Sequence, residues 1–172
     1  MSHNEVPSDE SMAEKRESRA RSSDREIRCL LDDLHLQMFH LMEDEELLHL
    51  QLNKQSCRAR LFLARTRLLQ GSERTSAEVQ LPRGRSYKAL TRVIEVSKNW
   101  GSALKISRHP VEPILGYFRP LTSIFGSLVP ESLRLASRHW YHCLDLVAEC
   151  ANIRKELQST ITSIKMLQSA LD

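Results

Sequence analysis

The residues best suited to chemistry are the histidines and carboxylates between positions 35 and 49. His40 and Asp44, and likewise Glu45 and His49, are four residues apart, a spacing that places two metal ligands on one face of a helix. Each pair supplies only half of a metal site, and such pairs are common on exposed helix faces. We therefore predict no metal site and no cofactor.

The cysteines do not indicate a metal site or a redox site. Cys29, Cys57, Cys143 and Cys150 form no C-x-x-C pair. Cys143 and Cys150 are seven residues apart, as expected for small buried residues of a helix, so we predict reduced thiols and a reducing compartment. Because the sequence also lacks a nucleophile motif, a phosphate-binding loop and a dinucleotide fingerprint, we predict that the protein is not an enzyme.

The composition favours an elongated helical protein. Aromatic residues make up 5% of the 172 residues, charged residues make up 27%, and there are five glycines. The net charge of +3 gives little support to nucleic-acid binding, and the arginines between 58 and 67 lack interleaved aromatic residues. They could instead meet acidic lipid headgroups or an acidic partner. We expect no signal peptide and no membrane-spanning segment.

Two long stretches repeat apolar residues at alternating steps of three and four, which is typical of helices packed lengthwise on other helices. The first is predicted as a helix over 24–70, capped by Asp24 and ended by Gly71. Ten of its thirteen stripe positions are apolar or small. They are Ile27, Leu31, Leu34, Met38, Leu41, Glu45, Leu48, Leu52, Gln55, Ala59, Phe62, Thr66 and Leu69.

Further leucines widen this stripe and suggest that the first helix contacts more than one neighbour. These are Leu30, Leu47, Leu61 and Leu68. The second helix is predicted over 129–171, with Pro130 in its first turn. Eleven of its thirteen stripe positions are apolar or small, and His139 and His142 are expected at its solvated edge. The stripe is Val129, Leu133, Ala136, Trp140, Cys143, Val147, Cys150, Arg154, Leu157, Ile161, Ile164, Gln168 and Leu171.

The two predicted helices have nearly equal length, so the fold class predicted is all-α, a long antiparallel helical hairpin formed as a coiled coil. In that pairing Ile27 lies near Leu171, and Glu45 lies at the same depth as Arg154. A contact between Glu45 and Arg154 is therefore expected. A parallel coiled-coil homodimer is the competing arrangement, and it would place these two residues far apart.

The remaining segments carry less regular patterns. Residues 1–23 are predicted as a disordered tail, and 24–172 as a single helical-hairpin domain. The connection 71–128 is predicted to be irregular and basic, with nine Lys/Arg against four Glu, although 87–96 could form one short strand or helix. Nine large apolar residues crowd into 114–129, where they either cap the open end of the hairpin or dock a partner.

The start of the second helix resembles a known family. Residues 124–134 read I-F-G-S-L-V-P-E-S-L-R, which is similar to the pattern F-G-x-L-V-P-x-S-L-R before the last helix of the vacuolar proton-ATPase assembly factors known in animals as coiled-coil domain-containing protein 115. More loosely, L-D-D-L over 31–34, L-Q at 36–37, E-E-L over 45–47 and the basic segment 59–67 resemble the first helix of that family. The longer tail departs from the family, and the connection has no counterpart.

The resemblance implies a non-enzymatic, chaperone-like factor that helps to assemble the membrane sector of the vacuolar proton pump and supports organelle acidification. It implies peripheral association with membrane-embedded assembly partners and proton-channel subunits at the cytosolic face of the endoplasmic reticulum, with the Golgi-intermediate compartment, endosome or lysosome as further locations. A cytosolic coiled-coil adaptor with unrelated partners is the alternative. The matching positions are the expected partner-binding residues: Phe125, Gly126, Leu128, Val129, Pro130, Ser132, Leu133 and Arg134.

Overall fold

The computed structural model describes residues 9–71, 88–98, 101–117 and 128–171. The elements in these residues are helix α1 (Asp9–Gln70), strands β1 (Thr91–Lys98) and β2 (Gly101–Arg108), a 3-10 turn (Pro113–Leu115) and helix α2 (Glu131–Gln168). The chain divides into two compact units. One comprises Met1–Glu43 with Lys155–Asp172, and the other comprises Asp44–Arg154.

Helix α1 begins fifteen residues earlier than predicted, at Asp9 rather than Asp24. The sequence from 9 to 23 contains no proline or glycine and is rich in Ala, Glu, Lys and Arg, which are strong helix formers. An apolar stripe is not needed to continue a helix that is already nucleated, because propagation costs far less than nucleation. The predicted disordered tail is therefore wrong over 9–23, and residues 1–8 lie outside the described residues.

The predicted stripe of α1 is confirmed from Ile27 to Thr66, where every position is buried or half-buried. We call these twelve positions the inner stripe. Leu69, its predicted last position, is exposed. The leucines that widen the stripe are also exposed, and no described residue supplies the second neighbour predicted for them. These leucines are Leu30, Leu47, Leu61 and Leu68.

Helix α2 has the predicted extent to within a few residues, but part of its predicted stripe is displaced by one residue. The positions at every seventh residue are correct, and Ala136, Cys143, Cys150 and Ile164 are buried. Of the six intervening positions, Leu133 is buried and Ile161 is half-buried as predicted, but four are exposed; they are Trp140, Val147, Arg154 and Gln168. The residues one position before these four are buried or half-buried, namely His139, Leu146, Ile153 and Leu167.

Within the unit Asp44–Arg154, three side-chain contacts join α1 to α2 in antiparallel order. Arg154 donates to Oε1 of Glu45 from Nε at 3.0 Å and from Nη2 at 2.6 Å, which confirms the predicted contact. His139 Nδ1 lies 2.7 Å from Oε1 of Gln55. The hydroxyls of Thr66 and Ser132 are 2.8 Å apart. Residue numbers rise along α1 as they fall along α2, so the two segments run in opposite directions.

The connection between the helices contains a β-hairpin, so the prediction of an all-α fold with an irregular connection is wrong there. Strands β1 and β2 pair antiparallel, with Thr91 opposite Arg108 and Lys98 opposite Gly101. Strand β1 contains the β-branched residues Thr91, Val93, Ile94 and Val96, which favour strands. Gly101, which opens β2, has a φ of 99°, a conformation that favours glycine.

The hairpin is attached to α2 through its second strand. The side-chain amide of Asn152 accepts from the Leu104 N–H at 2.7 Å and donates to the Leu104 carbonyl at 2.9 Å. Arg108 Nη2 donates to both carboxylate oxygens of Asp145 at 2.7 and 2.8 Å and to the Tyr141 carbonyl at 3.2 Å. Strand β2 therefore runs antiparallel to α2, and the Asn152 amide occupies backbone groups of Leu104 that a further strand would otherwise bind.

The unit formed by Met1–Glu43 and Lys155–Asp172 has a smaller described core. Leu41, Thr160 and Ile164 are buried in it. The Thr160 hydroxyl donates to the Glu156 carbonyl at 3.1 Å, which satisfies this buried polar group within its own helix. His35 Nδ1 lies 2.7 Å from the Leu31 carbonyl in the same way.

Candidate partner-binding site

The start of α2 is the site for which the sequence makes its most specific prediction. The carbonyl of Pro130 accepts from the N–H groups of Leu133 and Arg134, both at 3.1 Å, and so closes the first helical turn. Proline suits this place because it has no N–H that the helix could use. Glu131 follows in the first turn, where a negative charge complements the helix dipole.

Two of the predicted residues point into the protein. Leu133 is 7% exposed and belongs to the core. Ser132 is half-buried, and its hydroxyl meets that of Thr66, which is fully buried. Since Thr66 donates to the Phe62 carbonyl at 2.8 Å, Ser132 is the donor in the contact between the two hydroxyls. Ser132 and Leu133 therefore hold the start of α2 against the end of α1.

Two other predicted residues face solvent. Leu128 is 92% exposed, and Arg134 is also exposed. Val129 and Pro130 are half-buried, which is intermediate between the exposed and the inward-facing residues. Phe125 and Gly126 lie outside the described residues. The predicted site is thus divided between side chains that fix the helix and side chains that are available to a partner.

A second group of exposed apolar side chains lies around the 3-10 turn. Ile114 is 96% exposed, and Val111 and Leu115 are exposed as well. Their backbone is fixed: the N–H of Tyr117 donates to the Glu112 carbonyl at 3.0 Å, and the N–H of Lys88 donates to the Gly116 carbonyl at 2.9 Å. A fixed backbone lowers the entropy that these side chains lose when they bind a partner.

An aromatic cluster supports this turn. The rings of His109 and Tyr117 stack with centroids 4.8 Å apart. Nζ of Lys88 lies 5.5 Å from the centroid of the Tyr117 ring, within the range of a cation–π contact. The sequence alone does not identify these three residues, because no motif joins Lys88 to His109 and Tyr117.

Three titratable groups in the described residues have pKa values that depart from their ordinary values. The hydrogen bond from Arg154 holds the pKa of Glu45 below its ordinary value, so this carboxylate stays ionised at neutral pH. Burial raises the pKa of the Cys143 and Cys150 thiols, which makes them poorer nucleophiles. Cys29 and Cys57 are exposed and free.

The pair Glu45 and His49, which has the spacing of two metal ligands, is not free to bind a metal ion together. His49 lies 3.6 Å from Glu45, but Arg154 occupies the same carboxylate oxygen. Among the described residues, no group of three or more His, Cys, Asp or Glu side chains could hold a metal ion. His139 is not at a solvated edge as predicted. It bonds Gln55 and stacks on Phe62 with centroids 5.6 Å apart.

Asn152, Arg108 and Asp145 are structural residues that sequence reasoning missed. A signal for them exists in part: Tyr141, Asp145, Ala148 and Asn152 recur at steps of four, three and four, which is one face of a helix. That face is opposite the one toward α1 and is more polar than an apolar stripe. The sequence alone does not show that strand β2 of the hairpin packs on this face of α2.

No model of a known family matches this chain. No curated protein matches it significantly. Within the described part of the chain, neither helix contains a segment long and apolar enough to cross a membrane.

Proposed function

We propose that the protein is a non-enzymatic assembly factor for the membrane sector of the vacuolar proton-transporting ATPase, acting without a cofactor. It binds membrane-embedded assembly partners and proton-channel subunits at the cytosolic face of the endoplasmic reticulum and so supports acidification of lysosomes and related organelles. The support for this assignment is the resemblance over 124–134. It agrees with the exposed apolar side chains of Leu128 and Ile114 on the described surface.

The observation that carries the docking role is the exposure of Leu128. A residue that only capped the end of the helices would be covered by them, as Leu133 is. Leu128 instead lies in solvent, directly before a helix whose first turn is held by Ser132 and Thr66. We assign partner contact to Leu128 and Arg134, and support of the helix start to Ser132 and Leu133.

The proposal includes the finer form of the fold, an antiparallel coiled-coil hairpin between α1 and α2. The contacts of Glu45 with Arg154, Gln55 with His139, and Thr66 with Ser132 support it. A rigid pair of helices would present the start of α2 in a constant orientation, which is what an assembly factor needs in order to hold an unassembled subunit.

The test is affinity purification from detergent-solubilised endoplasmic reticulum membranes, combined with lysosomal pH measurement in cells that lack the protein. The proposal expects recovery of pump membrane-sector or assembly subunits and a rise in lysosomal pH that the wild-type gene reverses. The variant Arg134→Glu should lose these partners with little loss of stability, because an exposed charge contributes about 0–1 kcal/mol. Purifications that never recover pump subunits would refute the proposal.

A cytosolic coiled-coil adaptor is the second candidate, favoured by the exposed leucines along α1. It predicts that the same purification recovers cytosolic partners and that lysosomal pH is unchanged in the deleted cells. The two candidates therefore differ in both readouts of one experiment.

A further inference from the structure

Helix α1 carries a second apolar stripe on the side opposite its inner stripe. Its seven positions are separated by alternating steps of three and four, which continues for three heptads. All seven are exposed; Leu50 is 59% and Leu61 is 70% exposed. We call them the outer stripe: Leu47, Leu50, Lys54, Cys57, Leu61, Ala64 and Leu68.

The spacing identifies the kind of surface that fits the outer stripe. Alternate steps of three and four keep side chains in line with another helix, whereas scattered surface leucines have no such order. The inner stripe over the same length of α1 is already occupied, since Ala59 and Thr66 are buried and Gln55 bonds His139. The outer stripe therefore calls for a helix from another molecule.

The charges beside the outer stripe are arranged in a self-complementary way. Asp44 and Glu46 flank its beginning, and both are exposed. Arg58, Arg60, Arg65 and Arg67 flank its second half, and they are exposed too. One end of the stripe is thus acidic and the other is basic, so a second copy in the opposite direction brings unlike charges together.

We propose that two copies of this chain associate through their outer stripes, with the two α1 helices antiparallel. Heptad geometry then places Leu50 opposite Leu61 of the second copy, and Leu47 opposite its Ala64. In the same register Asp44 lies beside Arg65 of the second copy, and Glu46 lies beside its Arg67. Symmetry repeats each pair, which gives four ion pairs of favourable sign.

The parallel arrangement of the same helices is disfavoured by charge. In register, it stacks Lys54 on Lys54 of the second copy in the centre of the contact, and it brings Arg60 beside the second copy's Arg65. Like charges at these positions oppose association, whereas the antiparallel register places Lys54 opposite Cys57. Exposed ion pairs add little affinity, but they select between orientations.

The test is sedimentation velocity of the full chain between about 1 and 100 μM, a range suited to a contact of three heptads. The wild type should dimerise with increasing concentration. Leu50→Asp and Leu61→Asp should remain monomeric with unchanged helicity by circular dichroism. Leu144→Asp, at an exposed leucine of α2, is the matched control and should still dimerise.

Charge reversal tests the direction. Asp44→Arg with Glu46→Arg should weaken the dimer about tenfold or more, and adding Arg65→Glu with Arg67→Glu in the same chain should restore it. A wild type that stays monomeric throughout the range, or a dimer that survives Leu50→Asp, would overturn the proposal. Dimers that charge reversal weakens but the second reversal fails to restore would overturn the antiparallel order. None of these results bears on pump assembly.

Discussion

The two apolar stripes of α1 follow the same spacing but differ in burial. The inner stripe is buried or half-buried along its length, and the part within Asp44–Arg154 is joined to α2 by Gln55 and Thr66. The outer stripe is exposed at every position. Periodicity therefore shows that a helix face can pack against another helix, but not which molecule supplies that helix. Polar residues that find partners, such as Gln55, distinguish the two faces.

The first prediction concerns thiol reactivity, which compares the outer stripe of α1 with the core of α2. Cys57 on the outer stripe should react with a maleimide within the mixing time when the protein is at low micromolar concentration. Cys143 and Cys150 are buried and their thiol pKa values are raised, so they should react only after local opening, slower by about a hundredfold or more. Mass spectrometry of the native protein measures the order in which the cysteines are modified. Equal rates at Cys57 and at the two α2 cysteines would contradict the burial of the α2 thiols.

The second prediction compares two leucines in stability. Leu146 is 3% exposed, so Leu146→Ala should lower the free energy of unfolding by about 2–5 kcal/mol. Leu61→Ala in the outer stripe should change it by less than about 0.5 kcal/mol in the monomer. Urea denaturation at low protein concentration gives both values. Losses of similar size would mean that the outer stripe is covered within the chain.

The third prediction concerns the attachment of the hairpin to α2. Asn152→Ala removes both hydrogen bonds to the Leu104 backbone and should cost about 1–3 kcal/mol. Hydrogen exchange of the Leu104 amide should accelerate in this variant. Asn152→Asp is the matched control, because it keeps the acceptor for the Leu104 N–H and should slow that exchange relative to alanine. No change at Leu104 in either variant would refute this attachment.

The fourth and smallest effect belongs to Glu45 and Arg154. The pKa of Glu45 is lower in the folded state than its ordinary value of 4.5. The pair therefore stabilises the protein fully when the pH is above 4.5. This stabilisation is lost as the pH falls through the lowered pKa of the folded state. Arg154→Glu should therefore destabilise the protein at pH 7 and less so at pH 3. Exchanging both charges should restore most of the stability. A swapped variant no more stable than the single variant would count against the contact.

The inner stripe of α1 and the pairing of Glu45 with Arg154 could be predicted because both follow from periodicity and direction. The stripe of α2 could be predicted at every seventh residue, but four of the six positions between them are exposed. Trp140 is exposed although it is more apolar than His139, which is half-buried in its place. His139 can take this position because Gln55 satisfies its ring nitrogen and Phe62 covers its face.

The hairpin and its attachment could not be predicted from local pattern alone. Strand β1 is rich in β-branched residues, but the contacts of Asn152 and Arg108 with their partners depend on which face of α2 receives β2. The candidate site was predicted as one set of eight residues. Its division into exposed Leu128 and buried Leu133 depends on the direction in which the chain enters α2, which a motif does not encode.

The central claim is that the start of α2 binds a partner through exposed side chains. The most direct measurement is affinity purification from endoplasmic reticulum membranes with the variant Leu128→Asp. The matched control is Val147→Asp, at a half-exposed position within α2. Both variants should keep wild-type helicity. We expect Leu128→Asp to lose the pump assembly subunits while Val147→Asp retains them. Retention of those subunits by Leu128→Asp would contradict the claim.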